Sequence, residues 1–328
     1  MGKKGHPSSP NSDICAILLE LAEYEKNVSN NMFKHKAYRK AAATLAKHPT
    51  RIENGKQARS LPGIGDKISK KIDEILNTGK LQKLERIRSD DSNNSISELT
   101  RVSGIGPAAA KKLIERGIKT IDDLRKHQDE LTHHQKVCLR HLEDLEKRIP
   151  RDEIAQIESK IKSACRELDE DYKATVCGSY RRGLPDSGDI DVLLCHKKFS
   201  SSDKKCHERL QRVIEHLKKK SLITDTLSMG DTKFMGVCRL DESRPFRRLD
   251  VRLIPQDQYA CGVLYFTGSD VFNQEMRAHA QKQGFMLNEY SLRPVGCTGV
   301  PGEPVPVEDE KQVFEYLDFP YKEPSKRL

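Results

Sequence analysis

Two acidic residues within an apolar run constrain the fold of this 328-residue chain more than any other feature. In the segment DIDVLLC (189–195), Asp189 and Asp191 alternate with apolar residues in the pattern of a buried β-strand. Side chains two residues apart in a strand project from the same face, so the two carboxylates should lie close together. Because close carboxylates repel each other unless a cation lies between them, the segment predicts a β-sheet with a charged site on one face.

A third acidic residue, Asp250, lies in RRLDVRLI (247–254), a run with the alternation of another strand. Three carboxylates on adjacent strands suit a hard cation such as Mg²⁺. The turn Gly178-Ser179 offers backbone N–H groups and a hydroxyl to a phosphate, and Arg182 adds a fixed positive charge. The joint pattern favours a nucleotidyltransferase over a set of unrelated surface acids.

Runs of strand length occur only in the second half of the chain, where 174–178 and 233–240 complete a set of four, and a helix is expected at about 203–220. The first half has helical periodicity throughout, including 34–47 and 66–76. The polar segment SDDSNNS (89–95) predicts a hinge. The fold class is therefore α+β, with an all-helical front part and a mixed sheet behind it.

An internal repeat connects the front part to nucleic acid. LPGIG (61–65) and VSGIG (102–106) each precede a lysine-bearing helix. Glycines permit a tight turn, and the N–H groups that begin a helix suit a phosphate oxygen. The repeat resembles the helix-hairpin-helix motif, which contacts the nucleic-acid backbone without reading sequence. That resemblance implies a monovalent cation, Na⁺ or K⁺, on the backbone carbonyls of Arg59, Leu61, Ile64, Thr100, Val102 and Ile105.

The charge distribution fits a polyanion partner, most simply nucleic acid, and fits equally well a solvated basic surface without a partner. Residues 1–88 contain 18 Lys and Arg against 9 Asp and Glu, an excess equal to the net charge of +9 for the whole chain. No apolar run approaches the ~18 residues of a membrane span, and the start lacks a secretory signal. The nine cysteines form no C-x-x-C pair, which predicts free thiols rather than a zinc site.

GSYRRG, SGDIDVLL, TKFMGVC, RRLDVRLIP and CGVLYFTGSDVFN resemble the X family of DNA polymerases, from about residue 13 to the end. The resemblance implies a helix-hairpin-helix lyase domain followed by a polymerase domain with a nucleotidyltransferase-type mixed-sheet palm, and we expect no additional terminal domain. The implied parts are a flexible tail (1–10), a helical 5′-deoxyribose phosphate lyase domain (11–88), a helical DNA-binding subdomain with the second helix-hairpin-helix (89–150), the catalytic palm (151–260) and a nucleotide-selection subdomain (261–328).

The resemblance also assigns roles in the polymerase reaction. Two Mg²⁺ ions would be held by Asp189, Asp191 and Asp250. The nucleotide would be bound by Arg148, Ser179, Arg182, Gly188, Tyr265, Phe266, Gly268, Asp270 and Asn273. The DNA would be contacted by Arg248, Arg277 and Tyr290, and in the lyase domain by Lys34, Tyr38, Arg59, Lys67 and Lys83.

Lys71 has two interpretations. From spacing alone, Lys67 and Lys71 share a helix face and favour simple phosphate binding, although neighbouring cations also favour the neutral amine that forms Schiff bases. The resemblance implies the second role, attack on C1′ of a 5′-deoxyribose phosphate. Phe33, Lys70 and Gln274 depart from the family pattern, and Arg59 stands where the family has a lysine. We expect Lys70 to lower the pKa of Lys71 further.

The expected function is gap filling from dNTP, with removal of the 5′-sugar phosphate, in base excision repair. The expected partners are gapped or nicked DNA with a 5′-phosphate and other repair proteins. The protein is expected to be a monomer without membrane contact, located in the nucleus and also in the cytoplasm. Two alternatives remain open. A template-independent nucleotidyltransferase would need the same aspartates but no 5′-phosphate module, and a non-catalytic DNA-binding scaffold would need no strand carboxylates.

Overall fold

The computed structural model describes residues 9–203 and 207–327, and the chain divides into two compact units between Leu139 and Arg140. Residues 1–8 of the predicted tail lie outside the described residues. The predicted domain borders remain predictions.

The described residues of the first unit form helices and no strands. They are α1 (Ser12–Asn27), α2 (Met32–Lys47), α3 (Gly55–Arg59), α4 (Asp66–Thr78), α5 (Gln82–Arg88), α6 (Asp91–Leu99), α7 (Pro107–Glu115), α8 (Ile121–Lys126) and α9 (His133–Arg140), which ends at the boundary. Apolar residues at helical spacing, such as Ile14, Leu18 and Leu21 on α1, are fully buried against α2 and α4. Burial of these faces drives the packing, because short helices are marginal in isolation.

The two GIG turns have matching conformations. Gly63 and Gly104 have φ values of +84° and +90°, a region that side chains other than glycine rarely adopt. Gly65 and Gly106 then cap α4 and α7, each in an extended conformation without a capping side chain. The first N–H groups of both helices therefore begin directly after a turn that only glycine permits at its centre, as the repeat predicts.

The polar segment at 89–95 is not a loop. Most of it belongs to α6, because the Asp90 carboxylate accepts hydrogen bonds from the backbone N–H groups of Ser92 and Asn93 and so caps the helix. Ile96 and Leu99 anchor the helix in the core. Asp, Ser and Asn are turn formers, but they are also the preferred N-cap residues, and the buried anchors decide between the two outcomes.

The second unit carries a five-stranded mixed sheet. Its strands are β2 (Tyr172–Val176), β4 (Ile190–His196), β5 (Ile223–Met229), β6 (Lys233–Cys238) and β7 (Arg247–Ile254), in the order β2-β4-β7-β6-β5, and only β4 and β7 run parallel. Two small sheets pair β1 (Ile149–Pro150) with β3 (Asp186–Ser187) and β8 (Phe285–Leu287) with β9 (Leu292–Pro294). The helices are α10 (Leu142–Leu145), α11 (Arg151–Leu168), α12 (Gly178–Arg181), α13 (His207–Lys219), α14 (Tyr259–Thr267), α15 (Asp270–Lys282) and α16 (Glu310–Tyr316).

Each face of the central sheet has its own apolar cover. Val192 and Val251 face a core shared with α11 and α13. Leu193 and Ile254 face a second cluster with α14. Because side chains alternate along a strand, Asp191 and Asp250 share the α14 face. The fold therefore places the acids on the face that α14 covers.

Two further features of the described residues concern their helices and their cysteines. None of their helices combines the length and apolarity that crossing a membrane requires. Eight of the cysteines are free thiols, seven of them buried and Cys297 exposed, while Cys206 lies outside the described residues.

Candidate active sites

The three acids predicted to bind metal lie together at one end of the sheet. β4 and β7 are parallel neighbours, and their register places Asp191 directly opposite Asp250. Neighbouring strands are about 4.8 Å apart, so both carboxylates leave adjacent positions on one face. Asp189 immediately precedes β4 and shares the alternation of Asp191. The structure therefore brings together residues that are 61 positions apart in the chain, Asp189 and Asp250.

Electrostatics show that this acid cluster is suited to a cation. Burial, followed by the charges of Asp189 and Asp250, raises the pKa of Asp191 to about 7. Burial is also the main cause that raises the pKa of Asp189, followed by Asp250. Partly buried like charges lower one another's tendency to ionise. Oxygen donors in this arrangement fit divalent cations such as Mg²⁺. A bound cation would stabilise the ionised form of each of the three carboxylates.

The Gly178-Ser179 turn, which is predicted to bind phosphate, lies against the same cluster. A Cβ atom on Gly178 would lie 2.7 Å from Asp191 Oδ2, and the φ of Gly178 is +57°. Two independent constraints thus require glycine here. The backbone N–H of Cys177 donates to the Asp191 carbonyl at 2.8 Å, and the Ser179 hydroxyl donates to Ser187 Oγ at 2.7 Å. The turn is therefore fixed to the strand that carries the acids.

A cavity of about 110 Å³ opens beside two of the acids, and its lining includes Asp191, Asp250, Arg252 and Phe266. Arg248, predicted to contact the primer, forms a two-point ion pair with Asp250, through Nε to Oδ1 at 2.8 Å and Nη2 to Oδ2 at 3.1 Å. Asp250 can therefore coordinate a metal ion only if its carboxylate is shared between the ion and Arg248, or if the ion pair with Arg248 breaks. Arg252, which the sequence analysis missed, lies 6.0 Å from the Phe266 ring.

Two arginines predicted to hold the triphosphate lie beside glycines. A Cβ on Gly188 would be 3.2 Å from Arg148 Nη1, and one on Gly268 would be 3.2 Å from Arg182 Nη1. Arg182 donates to the Thr267 carbonyl at 2.6 Å, and burial lowers its pKa. The Nε of Arg182 is buried and has no hydrogen-bond partner among the described residues. An unsatisfied buried donor of this kind favours an anionic ligand.

The residues predicted to select the nucleotide cluster between α14 and α15. The rings of Tyr265 and Phe266 meet edge to face at 5.2 Å, and both are half-buried rather than part of a closed core. Asn273 Nδ2 donates to the Tyr265 carbonyl at 2.8 Å. The guanidinium of Arg277 lies 5.1 Å from the Tyr265 ring. One turn of α15 therefore packs against Tyr265 and Phe266.

Other predicted contacts lie at the surface of this subdomain. Asp270 is the first residue of α15, where Ser269 caps the helix. Tyr290 is 41 % exposed, which leaves its ring available to a ligand. Arg277 Nη2 lies 3.7 Å from Glu289 Oε2, so a template contact by Arg277 would require this weak pair to open.

The predicted lyase residues converge within the first unit. Lys71 on α4 is half-buried, and burial is the main cause that lowers its pKa. The cations of Lys83 and Lys34 lower that pKa further. Tyr38 is buried, and burial followed by the charge of Glu25 raises the pKa of its phenol. The arrangement therefore favours a neutral amine at Lys71.

The acid that organises this cluster was missed by the sequence analysis. Glu25 on α1 is only 1 % exposed. Lys83 Nζ donates to its Oε1 at 2.5 Å, and Lys34 Nζ lies 3.7 Å from its Oε2. No sequence spacing connects Glu25 with Lys83, which is 58 residues away. A buried charge paired with two lysines fixes the positions of both amines around Lys71.

The remaining residues of this module occupy its exposed rim. Arg59 Nη1 pairs with Asp66 Oδ1 at 2.8 Å at the start of α4. Lys67 and Lys70 are exposed, and the Lys67 carbonyl accepts a bond of 3.4 Å from Lys71 Nζ. In the GIG turns, the carbonyls of Leu61 and Val102 accept the backbone N–H of Ile64 and Ile105. The monovalent cation on these turns remains a prediction.

A second group of possible metal ligands lies at the far end of β4. Asp169, Asp171 and His196 have ligand atoms within 4.8 Å of one another. Lys198 Nζ already pairs with Asp171 at 2.8 Å, and His196 Nε2 lies 3.2 Å from Asp169. The Lys198 salt bridge and the His196–Asp169 hydrogen bond account for the proximity of these side chains.

Asp191→Asn is expected to change the pH dependence of stability in metal-free protein. The pKa of Asp191 rises from 3.8 to about 7 on folding, so the stability contributed by its proton is complete below pH 3.8 and is lost as the pH approaches 7. Asn cannot titrate, so the variant should gain stability relative to the parent across this interval. Urea unfolding in EDTA checks this, with Glu170→Gln, an exposed acid before β2, as control. Parallel pH profiles for parent and Asp191→Asn would contradict it.

Comparison with known protein families follows the same division of the chain. Family models match the helix-hairpin-helix domain at residues 9–81, the fingers domain of DNA polymerase lambda at 97–146, the DNA polymerase beta palm at 148–256 and the DNA polymerase beta thumb at 262–328. The palm match contains the three clustered aspartates, and the thumb match contains Tyr265 and Phe266.

Several curated proteins are similar to the chain over most of its length. DNA polymerase lambda of Arabidopsis thaliana is 35 % identical over 89 % of this chain and 57 % of its own length, and that of Rattus norvegicus is 32 % identical over 94 % and 55 %. The type-X family protein pol4 of Schizosaccharomyces pombe is 26 % identical over 92 % and 62 %. The chain thus spans somewhat more than half the length of these relatives. With the ordered matches from helix-hairpin-helix to thumb, they show that this chain belongs to the X family of DNA polymerases.

Proposed function

We propose that the protein fills short gaps in DNA by template-directed transfer of a nucleotide from dNTP to a primer 3′-hydroxyl. The observation that carries the proposal is the register of β4 and β7, which sets Asp191 against Asp250 beside the Gly178-Ser179 turn. A pocket that combines clustered carboxylates with a phosphate-binding turn suits phosphoryl transfer, in which catalysis is positioning and charge stabilisation. The family of the chain supports DNA as the substrate.

In this proposal, Asp189 and Asp191 would hold two Mg²⁺ ions, and Asp250 would help to hold one of them. When bound, the ions would supply charge stabilisation for the triphosphate and would lower the pKa of the attacking hydroxyl. Arg182 positions the phosphates from the end of α12, and Arg148 does so from the strand pair β1–β3. These fixed donors lie where negative charge develops during the transfer.

The selection of nucleotide and strand falls to the second set of residues. Tyr265 to Gly268 line the sugar site, where the backbone excludes a ribose 2′-hydroxyl. Asn273 contacts the base edge, and the bond it donates to the Tyr265 carbonyl couples the base site to the sugar site. Arg277 contacts the template strand once it leaves Glu289.

We also propose a 5′-deoxyribose phosphate lyase in the first unit. The neutral amine of Lys71 attacks the C1′ aldehyde, and loss of water gives a Schiff base. Removal of a C2′ proton breaks the C3′–O bond, which leaves a 5′-phosphate on the DNA, and hydrolysis of the imine restores Lys71. Lys34, Lys67 and Lys83 hold the sugar phosphate. Gap filling and sugar removal are two steps of base excision repair, for which the nucleus is the proposed location.

One substrate tests both halves of the proposal. A duplex carrying a one-nucleotide gap with a 5′-deoxyribose phosphate is incubated with Mg²⁺, the four dNTPs and borohydride. We expect incorporation of the templated nucleotide and a covalent protein–DNA adduct. Equal extension of a single-stranded end would contradict template direction, and a DNA-bound protein that neither extends nor crosslinks would identify a scaffold.

Lys83→Gln is expected to shift the pH profile of Schiff-base trapping to higher pH. The Lys83 cation lowers the pKa of Lys71, and its removal also frees the negative charge of Glu25, which raises that pKa. Both changes disfavour the neutral amine at a given pH. Trapping measured against pH at saturating substrate gives the midpoint, with Lys70→Gln as a control that removes an equal but exposed charge. A midpoint that moves more in Lys70→Gln than in Lys83→Gln would contradict this account.

A further inference from the structure

The guanidinium of Arg148 is already occupied by an acid of the same chain. Its Nε and Nη2 donate to Asp186 Oδ1 at 2.8 and 2.6 Å, and Nη2 also donates to the Asp186 carbonyl at 3.1 Å. The strand pair β1–β3 fixes this approach, because Pro150 lies opposite Asp186 in its register. Two of the donors of a rigid fork are therefore committed to one residue.

The same guanidinium borders the proposed triphosphate site. Arg148 Nη1 lies 3.2 Å from the position that a Cβ of Gly188 would take, and Gly188 is followed by Asp189 of the acid cluster. Ser179, on the phosphate-binding turn, donates to Ser187, the neighbour of Asp186. When a phosphate binds at the Ser179 turn, the neighbouring guanidinium of Arg148 is thus already paired with Asp186.

We propose that Asp186 competes with the triphosphate of the incoming nucleotide for Arg148 and so weakens nucleotide binding. The inference rests on the proposed polymerase function. A phosphate that binds Nη1 shares the Arg148 charge with Asp186, and one that takes the fork of Nε and Nη2 must displace the Asp186 carboxylate. The displaced carboxylate then lies close to a polyanion, and like charges at short range oppose binding. Both effects act in one direction.

The pair is exposed, so its removal should cost little stability, and the competition can be measured in folded variants. The side chains of Arg148 and Asp186 are 57 % and 40 % exposed, and exposed ion pairs contribute little to stability. Asp186→Asn keeps the shape of the side chain and removes its charge, and Asp186→Ala removes both acceptor atoms. Thermal unfolding verifies that both variants fold.

The test measures the Kd of magnesium tripolyphosphate, a probe that needs no chemistry, and the Kd of dNTP on the complex with gapped DNA. Asp186→Asn should bind both about two- to fivefold more tightly than the parent, the range expected for release of an exposed ion pair, and Asp186→Ala should do so at least as strongly. The matched control, Glu170→Gln, removes an exposed charge at the far end of β2 and should bind like the parent.

A double-mutant cycle tests whether Asp186 acts on phosphate binding through Arg148. When Arg148→Ala is present, Asp186→Asn should lose most of its effect, because no fork remains to be released. An unchanged Kd in Asp186→Asn, or an equal gain in the Arg148→Ala background, would overturn the inference even where the parent incorporates nucleotides normally. A parent that incorporates nothing, with tighter tripolyphosphate binding in Asp186→Asn, would overturn the proposed function and support the inference.

Discussion

Asp191→Ala should lower Mg²⁺-dependent nucleotide incorporation by at least about 10²–10³-fold, the loss seen when one stabilising group of a transition state is removed. The effect should be large because Asp191 is central to the cluster, opposite Asp250 and against the Gly178 turn. Borohydride trapping of the 5′-sugar should be unchanged, since Lys71 and its partners lie in the other compact unit.

Single-turnover gap filling and trapping on one substrate measure both activities of Asp191→Ala. Glu170→Gln controls for loss of an acid from the same part of the chain. Incorporation at the parental rate would exclude Asp191 as a metal ligand. Loss of both activities in a variant that unfolds like the parent would show that the two sites depend on each other.

Lys71→Ala should abolish the covalent adduct and lower sugar release by at least about 10²-fold, because the nucleophile itself is removed. Gap filling on a substrate with a plain 5′-phosphate should persist. Lys70→Ala is the matched control, since it removes an adjacent lysine that is exposed. An adduct that survives in Lys71→Ala would assign the Schiff base to another lysine, and Lys34 and Lys83, which lie around Glu25, would be tested next.

The sequence predicts the sheet where local pattern and burial agree. The strand at 247–254 has the predicted bounds, because each apolar residue of its alternation is buried. β5 was not predicted, since Asp225, Thr226 and Ser228 interrupt its apolar pattern and it is held by pairing with β6, with register shifts along the pair. Pairing with a neighbouring strand is a non-local property that a single run does not display.

In the candidate sites too, the residues set by local sequence pattern could be predicted, and those set by contacts with distant residues could not. Asp189, Asp191 and Asp250 can be predicted because strand alternation fixes their faces. Glu25 and Asp186 cannot, because an isolated acid in a sequence resembles any surface acid, and each acquires its role from a distant cation. Lys83 is 58 residues from Glu25, and Arg148 is 38 residues from Asp186.

The departures from the family pattern differ in their setting. Phe33 is 83 % exposed at the start of α2, so its ring is free to stack on a base. Lys70 is exposed beside the half-buried Lys71, and the cations that chiefly lower the pKa of Lys71 are Lys83 and Lys34. The expected effect of Lys70 on that pKa stays a prediction.

The metal site is tested most directly by a crystal structure of the protein with gapped DNA, Mg²⁺ and a non-hydrolysable dNTP. We expect two ions about 4 Å apart, both held by Asp189 and Asp191, with Asp250 released from Arg248 and bound to the ion beside the primer terminus. Ions bound only at Asp169, Asp171 and His196, or a triphosphate seated away from the Gly178-Ser179 turn, would contradict the account.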